Sequence, residues 1–453
     1  MSFTMVIRMT RKGAAAKLTL PATLRALRYR NFQLFFGGQL ISLTGTWMQN
    51  VAQAWLVYRL TGSSVLLGLV SFCGQIPVFL IAPLGGIVAD RFRRQRVVIG
   101  TQTAAMLLAL ILAALTITGA VRIWHVFVLA ALLGIVNAFD IPARQAFFVE
   151  MVGREDLINA IALNSSMFNA SRIVGPAVAG ILVAGIGEGW CFFVNGVSYI
   201  AVIAGLLLMR LEPHKPVQRT ASPLADVLEG FRFVIASPPI HYLLIMLGIL
   251  SVTGMPFAVL MPIFADQILH GGAKGMGILM GASGVGALAG ALLLASREAV
   301  KGLGRWVGIS AGAFGASLIA FSVSRSFWVS CALLLPVSFA MMVEMASSNT
   351  LIQTMSPDRL RGRVMSVYSM MFMGMAPLGA VVSGVTAARW GAPATVAGGG
   401  VICMAAAAVF GWRWPGLRSE ARRLIAAAQM AGGVPPQSAT GGSVAIKTGG
   451  EAA

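Results

Sequence analysis

Gly86-Ile87-Val88-Ala89-Asp90-Arg91-Phe92-Arg93-Arg94-Gln95-Arg96 decides how this chain is read. An apolar run ends there in one aspartate and four arginines, and a second apolar run starts at once. The runs lie near 64–88 and 97–119, and each supplies the roughly 20 residues needed to cross a bilayer as a helix. The quoted stretch is therefore a short charged loop between two membrane spans.

The same pattern extends outward over the whole chain. Of 453 residues, 57% are apolar and 11% charged, whereas soluble proteins carry about 25% charged residues. Too little polar surface remains for a water-soluble body, which excludes a soluble enzyme and a free nucleic-acid binder. Twelve runs of spanning length fall near 32–58, 64–88, 97–119, 124–149, 160–186, 190–210, 240–266, 275–296, 305–323, 327–353, 362–388 and 394–412. They lack the ten-residue alternation of an outer-membrane barrel, so the fold class is an all-α membrane protein. Cys73, Cys191, Cys331 and Cys403 sit far apart inside apolar runs and read as packing residues, not as disulfides or metal ligands. His125, His214, His241 and His270 are equally scattered, and no G-x-x-x-x-G-K-[ST] stretch occurs. Metal chemistry, acid–base catalysis, ATP binding at such a loop and any cofactor are therefore not expected.

Basic residues set the orientation. With the N-terminus inside, the termini and the loops on that side hold twenty-seven Lys and Arg. The opposite loops hold five: Arg59, Arg122, Lys274, Arg325 and Arg389. The positive-inside rule then places both termini in the cytoplasm of a multi-pass protein of the bacterial inner-membrane type. The net charge of +19 becomes a signal for insertion and for the lipid surface.

The chain divides into a basic cytoplasmic segment (1–30), six spans (31–210), a linker (211–239), six more spans (240–412) and a cytoplasmic, largely disordered tail (413–453). Within the linker, Leu224–Val234 reads as a short amphipathic helix. Within the tail, Ser419–Gln429 reads as a short helix. Arg154-Glu-Asp-Leu-Ile-Asn-Ala160, with Ser165 and Gly175-Pro176, aligns on Pro357-Asp-Arg-Leu-Arg-Gly-Arg363, with Ser366 and Ala376-Pro377. Spans 2 and 8 share a glycine-rich course through Gly68, Gly74, Gly85, Gly86 and Gly277, Gly281, Gly284, Gly286, Gly290. Two pseudo-symmetric six-helix bundles follow.

The opening stretch resembles the G-x-x-x-D-R-x-G-R-R loop of the major facilitator superfamily. Gly86, Asp90, Arg91 and Arg94 match, while Arg93 stands where that family has glycine. Ser171-Arg172-Ile-Val-Gly175-Pro176-Ala-Val-Ala-Gly180 resembles the family's antiporter motif, with Ser171 and Ala179 in place of glycines. Asp140-Ile-Pro142-Ala-Arg144-Gln-Ala-Phe, Asn159-Ala160 and Asn169-Ala-Ser-Arg172 are similar to the secretion branch, which includes the enterobactin exporter and macrolide efflux proteins. The resemblance covers about 25–412 and implies a proton-coupled antiporter. It would export an amphipathic small molecule, a siderophore-like compound or a drug, by alternating access. An uptake symporter of the same fold and a non-transporting scaffold are the alternatives. Small molecule, protons and lipid are the expected partners, nucleic acid is not, and a monomer is expected.

Ionisable groups at membrane depth cost several kcal/mol unless paired or wet. Asp140, Arg144, Arg172 and Glu344 are the four here. Asp140 and Arg144 share a helical face near the cytoplasmic end and join Gly86, Asp90, Arg91 and Arg94 in an expected cytoplasmic gate. Arg172 lies near the midplane, where it could hold an anionic substrate, Asp140 or Glu344. Glu344 has no base within its own helix and is the first candidate for the proton-coupling acid, with Asp140 second. Gln39, Trp47, Asn50, Gln53, Gln75, Asn137, Asn169, Asn349 and Tyr368 are the expected cavity lining. Met341, Met342, Met345, Met370, Met371, Met373 and Met375 would add an adaptable wall.

Overall fold

A computed structural model describes residues 22–211, 223–296 and 302–430, and among these no strand occurs. The first six helices are α1 (Arg30–Thr61), α2 (Ser64–Arg91), α3 (Arg94–Ile117), α4 (Ile123–Val152), α5 (Leu157–Ile186) and α6 (Glu188–Leu207). A connecting helix, α7 (Pro223–Ala236), leads to α8 (Pro238–Ile268). The chain ends in α9 (Gly272–Ala295), α10 (Leu303–Val323), α11 (Phe327–Met355), α12 (Asp358–Trp390) and α13 (Ala392–Met430).

Eleven segments of the described residues are long and apolar enough to cross a membrane, namely α2–α6 and α8–α13. The expected first span, 32–58, lies inside α1, which has the length at 32 residues but is too polar for the same measure. It carries Gln39, Thr44, Gln49, Asn50 and Gln53. Helices α5 and α6 flank it, and the Asn195 amide donates to Gln49 Oε1 at 2.6 Å. Polar residues of a buried span find partners in neighbouring helices rather than in lipid.

Short turns join several of the successive helices. Between α1 and α2 only Gly62 and Ser63 intervene. Gly62 takes the left-handed conformation (φ 59°) and returns its N–H to Tyr58 O, and Ser63 Oγ accepts from Leu66 N–H to start α2. Side chains with a Cβ adopt that φ reluctantly, so glycine suits the turn. In the first half α2 packs on α4, and α6 packs on α1 and α3. In the second half α10 packs on α11 and α13, and α9 on α11.

The halves meet mainly where α2 crosses α12 and α5 crosses α9. Small residues permit both crossings. A Cβ on Gly277 would lie 2.6 Å from Pro176 O, and one on Gly180 would lie 2.9 Å from Gly277 Cα. A Cβ on Gly384 would lie 2.6 Å from Ser64 O, and one on Gly68 would overlap the Ala380 carbonyl. Ser64 Oγ also donates to Gly384 O at 2.9 Å. The two seams are built alike, with Gly277 packed on the Pro176 carbonyl and Gly68 on the Ala380 carbonyl.

Two helices depart from regularity. In α8 a π turn (Leu250–Gly254), a 3₁₀ turn (Met255–Ala258) and a second π turn (Phe264–Ile268) interrupt the α-helix. In α12 the π turn is Met370–Gly374. Pro256 and Pro262 lack an N–H for the α-helical ladder, and Ser251 Oγ in the first π turn donates to Phe372 O in that of α12 at 2.6 Å.

The amphipathic segment of the linker is α7, while residues 212–222 of that linker lie outside the described residues. Glu229 of α7 pairs with Arg359 at 3.1 Å and with Arg363, which ties α7 to the start of α12. The last expected span and the Ser419–Gln429 helix form one rod, α13, which continues through Pro415. Phe410 stacks on Trp414 at 5.1 Å, and Gly304 of α10 leaves room for that indole, so the helix stays packed beyond residue 412. Residues 413–430 of the segment read as tail are thus helical, the expected Ser419–Gln429 helix among them, and the rest of that tail falls outside the described residues. Ala22–Arg28 forms a 3₁₀ turn tied to the start of α5: Ala26 N–H donates to Asn159 Oδ1 at 2.7 Å, and Arg28 pairs with Asp156 at 2.7 Å.

Candidate functional site

A cavity of about 2360 Å³ lies between the halves. It reaches the helix ends that carry Asp90, Arg91, Arg359 and Arg363, where the Arg359 side chain is 76% exposed. At its other end it stops near Val57 and Leu67, where the small-residue seams close. Beyond them the Tyr58 hydroxyl donates to Asp266 Oδ2 at 2.7 Å, from α1 to α8. The chamber thus opens on the arginine-rich face and is shut on the other.

Trp47, Asn50, Gln53, Gln75 and Asn137 line this cavity, together with Gly86, Asp90, Arg91 and Arg172. Trp47, Asn50 and Gln53 recur every three residues and share one face of α1. Four of the nine expected lining residues are elsewhere, and three of these are bonded to their own or a neighbouring helix. Gln39 is buried away from the cavity. Asn169 donates to Ser165 O one turn back at 2.9 Å, and Asn349 accepts from Gln353 at 2.5 Å. The Tyr368 hydroxyl donates to Met345 O at 3.3 Å. Of the methionines, Met341, Met370 and Met373 reach the cavity, joined by Met255, Met276, Met280 and Met365. The irregular turns of α8 and α12 supply Ser251, Met255, Met370 and Met373 to this wall, and of these Ser251 and Met255 were not expected.

The charged gate residues form two clusters inside the first half. Arg94 lies 3.8 Å from Asp90 and 3.1 Å from Glu150, and it donates to Ala146 O at 3.1 Å, so α2, α3 and α4 are tied together. Asp140 accepts from Arg144 at 3.2 Å, from Thr101 Oγ1 at 2.8 Å and from Gln102 Nε2 at 2.9 Å. Glu150, Thr101 and Gln102 were not among the expected site residues. Two adjacent polar residues in span 3, opposite a charge in span 4, were the signal. Gly86 has open space where a Cβ would be, whereas a Cβ on Gly85 would overlap the Ala138 carbonyl. The close helix approach in this motif therefore belongs to Gly85. Phe92 and Arg93 are both extended, with φ of −106° and −60°, so arginine is accommodated at the family's glycine position.

The antiporter-like motif works on two sides of α5. A Cβ on Gly175 would lie 2.5 Å from Trp47 Cβ, so this face packs on α1. The face with Pro176 and Gly180 forms the seam with α9. Arg172 holds neither Asp140 nor Glu344. Its guanidinium lies 5.9 Å from the centroid of Trp47, whose ring meets Phe168 edge-on at 5.4 Å.

Glu344 is fully buried within the second half and does not line the cavity. Ser348 Oγ donates to its Oε1 at 2.9 Å, while Oε2 has no hydrogen-bond partner, and neither has the nearby Ser347 Oγ. Among the described residues no group of three or more His, Cys, Asp or Glu could hold a metal ion.

Known proteins carry the same pattern. Residues 21–437 match the family model described as transmembrane secretion effector. The staphyloferrin A transporter of Staphylococcus aureus is 25% identical over 79% of this chain and 89% of its own length. The multidrug efflux pump Tap of Mycolicibacterium fortuitum is 29% identical over 76% and 86%. The enterobactin exporter EntS of Escherichia coli is 25% identical over 75% and 80%. Among solved structures, the nucleoside transporter NupG superposes with a TM-score of 0.65 at 14% identity, covering 85% of this chain and 98% of that one. A bacterial homolog of the human lysosomal transporter Spinster, in an inward-facing conformation, does so at 0.60 and 16%, covering 90% and 97%. At such identities these two likenesses speak for the fold alone.

Proposed function

Since this chain belongs to the transmembrane secretion effector family, and is a secondary transporter of the major facilitator fold rather than an enzyme, we propose that it exports an amphipathic small molecule. Alternating access delivers the cargo, and proton antiport drives it. The arginine-rich face lies in the cytoplasm of a bacterial inner membrane, with both termini on that side. A single chain forms the whole cavity and is the working unit.

The observation that carries this reading is the chamber, wide at the basic face and sealed at the other by two crossings of small residues. Rocking the halves about those crossings would close one mouth and open the other. The cavity mixes methionines and aromatics with a few amides, a lining suited to amphipathic cargo. Relatives named for siderophores and for drugs are of the same kind. Glu344 is the coupling acid in this scheme, because one of its oxygens lacks a fixed partner and is free to gain and lose a proton. Asp140, held by three donors, is second.

Cells with and without the chain, loaded with a candidate siderophore, drug or dye, test the proposal. The chain should lower retention, and collapsing the proton gradient should abolish that effect. Equal retention across a broad panel would sink the export reading, and export that survives collapse would sink the antiport.

A further inference from the structure

We propose that the site is built for an organic anion: Arg172 takes its charged oxygens, and Trp47 takes its apolar or aromatic body. This rests on the export reading and names the class of its substrate.

Among the described residues, the charged groups lining the cavity are four arginines and one aspartate: Arg91, Arg172, Arg359, Arg363 and Asp90. Asp90 has Arg94 at 3.8 Å, and Glu229 serves both Arg359 and Arg363. All of these stand at the mouth. The deep charge is Arg172, which has no carboxylate within 4.0 Å among the described residues; the indole of Trp47 is its neighbour. An aromatic face orients a guanidinium without neutralising it. Arg172 therefore projects an uncancelled positive charge into the chamber, whose apolar walls focus its field and strengthen its attraction for an anion.

The pair is also positioned before any ligand arrives. Gly175 lets α5 approach α1 at Trp47, with Gly175 Cα carrying no side chain where a Cβ would lie 2.5 Å from Trp47 Cβ. Phe168 braces the indole edge-on at 5.4 Å. A planar fork of N–H donors suits carboxylate, sulfonate or phenolate oxygens, and the adjacent ring suits the body that bears them. Fixing both in advance lowers the entropy lost on binding. Arg91 at the mouth draws anions inward, whereas a cationic drug would meet repulsion at Arg172. In a cell that is negative inside, the membrane potential itself then favours export of the cargo.

Fluorescein and pyronin Y share a xanthene core and carry opposite charge, so they test this in proteoliposomes containing the full chain. Fluorescein should move faster than pyronin Y. Arg172→Gln should cut fluorescein flux by roughly ten- to a hundred-fold, the size of one charge-assisted bond, and should leave or raise pyronin flux. Persisting pyronin flux shows that the variant is folded, and Arg172→Lys should retain most of the fluorescein flux. Preference for pyronin Y in the unaltered chain, or an equal loss of both dyes in Arg172→Gln, overturns the anion assignment and leaves export standing. Failure of both dyes to move under a proton gradient of either sign counts against export and the assignment together.

Discussion

Asp140 and Glu344 are buried acids, one in each half, and their surroundings differ. Asp140 receives Arg144, Thr101 and Gln102, which occupy both of its oxygens. Glu344 receives Ser348 on one oxygen and no hydrogen-bond partner on the other. A carboxylate with both oxygens engaged positions the groups around it. A carboxyl with a vacant site can exchange a proton without dismantling its neighbourhood. Burial alone does not separate these roles; the number and charge of the donors do.

That contrast can be broken by experiment. The largest effect on stability is expected from Asp140→Asn. It strands the half-buried Arg144 and should lower unfolding free energy in detergent by about 3 kcal/mol, the lower end for a broken buried pair. A loss near zero would mean that the trio around Asp140 holds nothing. Glu344→Gln should do the opposite: stability within about 1 kcal/mol of the parent, since no ion pair is lost, but gradient-driven flux in vesicles down by at least about tenfold. Undiminished coupling would remove Glu344 from the mechanism and move attention to Asp140. Thr101→Val deletes one bond to a charged acceptor and should cost about 1.5 kcal/mol, seen as a lower melting temperature with coupling intact. Ser348→Ala, the smallest change, should cost about 1 kcal/mol or less while altering the pH profile of flux. A larger stability loss than that of Thr101→Val would erase the distinction between the two acids.

Much of this was legible in the residues. Apolar runs, the basic bias and the Asp90–Arg94 stretch pointed to the all-helical fold, and the four charges at membrane depth are where interest still lies. Other features were hidden for physical reasons. Asn349 and Asn50 look alike as isolated amides in apolar runs. Rotation of each helix against its neighbours decides that Asn50 faces the chamber while Asn349 bonds to Gln353, and that rotation is a tertiary property. The irregular turns of α8 shift side chains off the regular period, so Ser251 and Met255 could not be assigned a face by spacing. Glu229 and Asp266 sit in segments that read as linker and helix end, and their partners lie more than a hundred residues away in sequence. The polarity of α1 was visible from the start, but only its place between α5 and α6 explains why it is tolerated. The helical continuation past residue 412 depended on Trp414 finding the space left by Gly304, which no local pattern announces.

The crossings of α2 with α12 and of α5 with α9 carry a consequence for how the shut mouth is regulated. They are joined by close van der Waals contact and by bonds such as Ser64 to Gly384, with no ion pair among the described residues of the joint itself. Ionic strength, which weakens attractions between solvated charges, has little to act on there. Steric volume is the dial instead: one methyl group added at Gly180 or Gly277 would wedge the bearing open, a graded bias that salt could not imitate.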